Sequence, residues 1–168
     1  IWFIGLMKNK SLSFLIFLLL SKMFFFNVQS AEQFNFDVTE IEVLQNGNVI
    51  KGIKKGSIKT NDGIIINADN FVYEKLLNIL KADGKVEIID TIKNFKIYSD
   101  NIIYDKNNEI ITTNQNSKAI YEKGKFITGN TFKFNRNENI LNANGKVKIQ
   151  DTIKDYLISG ENFTYYKD

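Results

Sequence analysis

The chain has 168 residues, 43% of them apolar, and a formal net charge of +3. It contains no cysteine and no histidine, which excludes a disulfide framework, a thiolate or imidazole metal site and a histidine-based catalytic triad. The small net charge, with lysines and acids alternating and no long basic block, gives no footprint for nucleic acid.

From the amino terminus, Lys8 and Lys10 follow Met7, Leu12 to Leu20 form a short apolar run, and Val28-Gln29-Ser30 supply small or modest residues at a cleavage position. This order of a basic region, an apolar core and a cleavage site predicts an export signal cut next to Ser30 or Ala31, with residues 1–31 as leader and Met7 as the true start. The competing reading is a retained anchor helix over Leu12 to Val28, against which Lys22 argues. Either reading exports the remainder, residues 32–168.

Beyond the leader, a small or apolar residue is followed three positions later by a large apolar one and, two further on, by an aromatic or aliphatic one. This recurs five times at steps of 30 or 31 residues: Val38/Ile41/Val43, Ala68/Phe71/Tyr73, Ser99/Ile102/Tyr104, Gly129/Phe132/Phe134 and Gly160/Phe163/Tyr165. A period of this length signals stacked copies of one supersecondary unit. Within each unit apolar and polar residues alternate, the period of a strand. Asn61-Asp62-Gly63, Asp105-Lys106-Asn107-Asn108 and Asn135-Arg136-Asn137-Glu138 supply turn chemistry between strands. A longer copy lies 61 residues apart: Ile79 to Val86 recurs as Ile140 to Val147, and Asp90-Thr91-Ile92-Lys93 as Asp151-Thr152-Ile153-Lys154. The prediction is an all-β array without helices. Its rows of small residues beside rows of Phe, Tyr, Ile and Leu fit either a closed two-sheet core or a splayed apolar groove.

The unit Ile66 to Tyr73 followed by Ile79 to Ile88 resembles the repeat of the OstA-like (organic solvent tolerance) domain family, over about Phe34 to Asp168. That domain forms the periplasmic lipopolysaccharide bridge LptA and the amino-terminal part of the lipopolysaccharide-assembly protein LptD. The resemblance implies a repeat-built β-jellyroll, an open twisted pair of sheets that shields the lipid A acyl chains of lipopolysaccharide and passes them toward the outer membrane. The inner, lipid-facing residues it implies are Ile66, Ala68, Phe71, Tyr73, Leu80, Ala82, Val86, Ile88, Ile97, Ile102, Tyr104, Ile111, Ile127, Phe132, Phe134, Leu141, Ala143, Val147, Ile149, Ile158, Phe163 and Tyr165. It implies a periplasmic location at the outer membrane, no cofactor, no catalytic residue, and partners in other jellyroll Lpt proteins joined edge to edge and in an outer-membrane barrel. The favoured member is an LptD-like amino-terminal domain continuing past Asp168, with a complete LptA-like bridge next and an anchored LptC-like relative third. Cysteines often found in LptD-like proteins are missing.

Other candidates read as structure. Lys51, Lys54, Lys55 and Lys59 could meet lipid A phosphates but fit a solvated strand edge better. Asp62, Asp69, Asp83, Asp100 and Asp105 recur near turns without the spacing of a calcium loop. No acid, base and nucleophile converge, so an enzyme is not expected. From a different class, the remaining alternative is a structural or adhesive β-solenoid whose inner face is simply core.

Overall fold

The computed structural model describes residues 34–167, which belong to the second of the two units into which the chain divides, Gln33–Asp168. The predicted leader lies outside the described residues. The strands are β1 (Asn35–Leu44), β2 (Val49–Lys59), β3 (Ile64–Ala68), β4 (Asn70–Glu74), β5 (Ile79–Asp90), β6 (Phe95–Asp105), β7 (Ile110–Asn114), β8 (Ser117–Glu122), β9 (Lys125–Gly129), β10 (Thr131–Asn135), β11 (Ile140–Asp151) and β12 (Tyr156–Tyr166). The one helical element among the described residues is a single 3-10 turn, Gln45–Gly47. All pairings are antiparallel, and chain neighbours pair with one another except at β3/β4, β7/β8 and β9/β10.

The registers show why twelve strands behave as nine. β2 pairs with β4 through its first half and with β3 through its second, and β5 does the same from the other side. β3 and β4 are therefore two halves of one strand bent at Asp69. β7 and β8 stand in the same relation, as do β9 and β10. The long strands bend too, without breaking: the β1, β5 and β11 ladders shift register between Val38 and Glu40, Asp83 and Val86, and Asn144 and Val147. Each bend is a bulge, the device by which a strand turns a corner. Lys54, Lys55, Gly84, Lys85, Gln115, Asn116, Gly145 and Lys146 take positive φ there. The bends recur every fifteen or so residues, so the sequence period of 30 or 31 is one pair of bent strands with its two turns.

Bending every strand at one level creases the sheet into two layers. One contains β4, β7, β10 and the facing halves of the long strands; the other contains β3, β8, β9 and the opposite halves. Along the crease, backbone amides at the corners bond across neighbouring strands: Asp69 N–H donates to Gly84 O at 3.0 Å, and Asn130 N–H to Gly145 O at 2.9 Å. The two glycines have little alternative, because a Cβ on Gly84 would lie 2.5 Å from Asp69 Oδ2 and one on Gly145 2.5 Å from Asn130 Nδ2. Small inward residues recur beside the crease, Ala68, Ala82, Ser99, Gly129 and Ala143, and larger ones pair with them there, Phe71 and Ile102 with Ala82 and Phe132 with Ala143. Ser99 satisfies its buried hydroxyl by donating to backbone carbonyls, Gln115 O among them at 2.9 Å.

Candidate functional site

All the predicted inner-face residues from Ile66 to Ile149 point between the layers and are buried. The last three depart from this: Phe163 and Tyr165 are half-buried, packed against the core, and Ile158 is 51% exposed. At the other end, Ile41 and Val43 of the first repeat register are exposed as well. Both terminal strands thus present inner-face side chains that no further strand covers among the described residues. The apolar stripe runs the length of the array and opens at its ends.

Sequence reasoning left a closed core and a splayed groove as alternatives; the layers here are in contact. Opposite the crease, aromatic side chains meet across the mouth. Phe34 packs edge-on against Tyr73 with centroids 4.7 Å apart and against Tyr104 at 5.9 Å. Phe95 meets Phe134 at 4.8 Å, and Tyr121 meets Tyr165 at 4.6 Å. Phe34, Phe95 and Tyr121 belong to one layer and their partners to the other. None of the three was predicted from sequence, because they lie outside the repeat triplets.

Outside the aromatic row lies a polar clasp that sequence reasoning also missed. Its centre is Arg136, the only arginine in the chain, whose side chain is 6% exposed. From the turn after β10 it crosses to the opposite layer, donating through Nε to Asp90 Oδ2 at 3.0 Å and through Nη1 to Asp62 Oδ2 at 2.7 Å. On its own side it pairs with Glu109 and donates to the Tyr104 hydroxyl at 3.0 Å, which in turn donates to Glu109 at 2.7 Å. Lys106 also reaches Asp62, at 2.7 Å, and Glu109. Lys93 closes the group by donating to Arg136 O and Asn139 Oδ1. Three cations face three carboxylates, so the cluster is electrically balanced while largely withdrawn from water.

The electrostatic consequences follow. Burial would raise the Asp62 carboxyl, but hydrogen bonds from Lys106, Thr60 and Arg136 outweigh it and hold the group well below the usual carboxylate range. Burial would lower Arg136, yet Asp62, Tyr104 and Asp90 keep it charged beyond its ordinary value. Tyr104 is pushed far up by burial and by its bond to Glu109. Burial pulls Lys93 down, against the attraction of Asp90. Asp62 and Arg136 at the centre of the clasp are thus held in their charged forms.

The sequence hint was a register: Lys75, Lys106, Arg136 and Lys167 recur at steps of 30 or 31. Each backbone N–H donates to the preceding turn of that side, at Asn48, Asn78, Glu109 and Asn139. Asp62 was read as a turn residue; it occupies the turn and is also a bridge between layers. Of the lysine cluster, Lys54 pairs with Glu40 at 2.6 Å and Lys51 lies 3.9 Å from Glu42, on exposed strand surface.

A creased antiparallel meander with a continuous apolar interior is the β-jellyroll of the LptA type, and the chain is all-β with that fold. Among solved structures it is similar to LptH, the LptA-homologous periplasmic component of the lipopolysaccharide transport device from Pseudomonas aeruginosa. The TM-score is 0.62 at 12% identity, with 80% of this chain and 95% of that one covered. No family model and no curated protein matches the sequence.

Proposed function

We propose that the chain is a periplasmic lipopolysaccharide-carrying module that shields acyl chains between its layers and passes them toward the outer membrane. The observation that carries this reading is the apolar stripe, continuous through every repeat and uncovered at both terminal strands, on a fold like that of a lipopolysaccharide-transport component. Carriage requires the layers to part at the mouth, and the closure there suits that: among the described residues, side-chain contacts hold it.

The energetics allow the exchange. Each methylene withdrawn from water contributes about 0.8 kcal/mol, so a twelve-carbon chain gains roughly 10 kcal/mol before ordering costs. Each parted aromatic pair forfeits about 0.5–1.5 kcal/mol of specific contact, and its rings repack on the incoming chain. Nothing in the module drives direction; that energy comes from elsewhere.

Within this reading the chain is the amino-terminal part of an LptD-like assembly protein, working beside an outer-membrane barrel. A complete LptA-like bridge is the alternative. Its partners are other jellyrolls, joined by strand pairing at the terminal edges, where β1 and β12 each pair on one side alone among the described residues. The buried interior specifically favours one further reading, a structural scaffold whose inner face is permanent core. Photo-crosslinking separates the two: a reactive amino acid at Phe132 captures lipopolysaccharide if the interior admits it and captures nothing if the module is a scaffold. Lys133, on the outer face of the same strand, is the control.

A further inference from the structure

The outer faces of the two layers differ in chemistry beside the mouth. On the layer of β3, β8 and β9, consecutive cross-strand partners set Ile65 against Ile89, Ile89 against Lys96, Lys96 against Ile120 and Ile120 against Phe126. The four apolar side chains are half-buried and Lys96 is exposed. Five adjacent strands at roughly 4.8 Å thus carry an oily strip about 19 Å long along the outside of the mouth. The matching row of the other layer alternates apolar residues with acids: Glu74 against Ile79, Ile79 against Asp105 and Asp105 against Ile110.

The lysines divide in the same way. Lys59, Lys96 and Lys148, on the outer face of the first layer, form no ion pair among the described residues. Glu87 on that face accepts from Asn67 and Tyr98 instead, and Lys118 stands over the Phe126 ring at 4.4 Å. On the second layer Lys51 and Lys81 pair with Glu42 and Glu74, Lys133 being the exception. At the rim just beyond the strip, Ile92 is 71% exposed and its copy Ile153 69%. The β5–β6 turn that carries Ile92 has the β2–β3 and β8–β9 turns on either side, so this exposure belongs to the turn and not to an end of the array. Each isoleucine is seated on a glycine of the turn before it, where a Cβ would lie 2.8 Å from Ile92 Cγ1 at Gly63 and 3.0 Å from Ile153 Cγ1 at Gly124.

We propose that this outer face, at its mouth edge, rests on an anionic lipid bilayer. Ile92 and Ile153 enter the boundary between headgroups and acyl chains, the strip from Ile65 to Phe126 lies against it, and Lys59, Lys96 and Lys148 meet the headgroup charge. A second copy of the chain is a poorer occupant. The acids of its other layer are already engaged, Glu74 by Lys81 at 2.7 Å and Asp105 by Asn108, and protruding isoleucines need matched pockets on a folded surface but none in a fluid one. The contact goes beyond carriage, since it holds the mouth beside lipid whether or not the interior takes any.

The chain has no cysteine, so a single introduced one takes an environment-sensitive fluorophore cleanly. Ile92→Cys reports on the rim of this layer and Lys133→Cys on the opposite outer face. Each labelled full chain is titrated with vesicles of phosphatidylcholine alone or mixed with phosphatidylglycerol. On the mixed vesicles the label at position 92 should shift to the blue and be quenched by spin-labelled lipid, the label at 133 should do neither, and phosphatidylcholine alone should give a much smaller shift. Changing Lys59, Lys96 and Lys148 together to glutamine should raise the lipid concentration at half-maximal shift at least about tenfold. A label reports only its own surroundings, so attachment through another segment does not mimic this pattern. Equal responses at the two positions, or a midpoint that ignores the loss of the three charges, overturns the proposal. A shift that grows with protein concentration and needs no vesicles gives the face to a second copy and overturns it as well. Either failure leaves carriage, read separately by crosslinking from Phe132, standing.

Discussion

Replacing Arg136 with alanine removes the side chain at the centre of the clasp, which bonds to Asp62 and Asp90 in one layer and to Glu109 and Tyr104 in the other. Asp90, whose side chain is 2% exposed, then keeps its negative charge without its guanidinium, and Glu109 and the Tyr104 hydroxyl lose a donor. Removing one partner of a buried pair costs about 3–5 kcal/mol, mostly from the uncompensated charge left behind. Lys106 still reaches Asp62 and Glu109, which places the expected loss toward the lower figure. For a domain of this size each kcal/mol lowers the melting temperature by about 3–5 °C, so a fall of about 10–20 °C is expected. Lys54→Ala is the internal control, since the exposed Lys54–Glu40 pair should contribute under about 1 kcal/mol. Circular dichroism melts of the two variants make the comparison. A loss for Arg136→Ala no greater than that for Lys54→Ala would refute the clasp as a closure of the mouth.

Three further outcomes follow. Asp62 has a lower pKa folded than unfolded, so its contribution is complete above the unfolded value near about 4 and drains away as pH falls through the folded one. Urea midpoints should hold from about pH 7 to 5 and drop below about 4, with a shallower drop in Asp62→Asn; an unchanged drop would show that other carboxylates dominate. Gly145→Ala should cost about 1–3 kcal/mol, because alanine must take φ near +76° and displace Asn130. Gly160→Ala should stay within about 0.5 kcal/mol, since the nearest atom to its new Cβ is Asn162 O at 3.9 Å; equal effects at the two glycines, read from denaturant unfolding, would remove the strain argument for the crease.

Much of this architecture was legible because it is local. Two-residue alternation gave the strands, the residues between strands gave the turns, and the period of 30 or 31 gave the repeat. The inner face could be read through Ile149 because each layer exposes one side of every strand to the other. Legibility stopped where contacts join distant parts of the chain. Arg136 and Asp62 are 74 residues apart, and nothing local to either marks the other. Phe34 and Phe95 are aromatics at strand starts, and only the crease brings them against Tyr73 and Phe134. Ile158 shows the opposite limit: its alternation is right for an inner position, yet no described strand lies beyond β12 to cover it. Whether a patterned face is closed depends on what stacks next, which alternation does not encode.

The most direct test of the central claim is site-specific photo-crosslinking from Phe71 and Phe132 in cells making lipopolysaccharide, with Lys133 as the outward control. The account predicts adducts at both inner positions, more of them in Arg136→Gln, whose mouth is less firmly held, and none at Lys133. Equal labelling at inner and outer positions, or no adduct at either inner position in a folded protein, would contradict it and leave the interior as core.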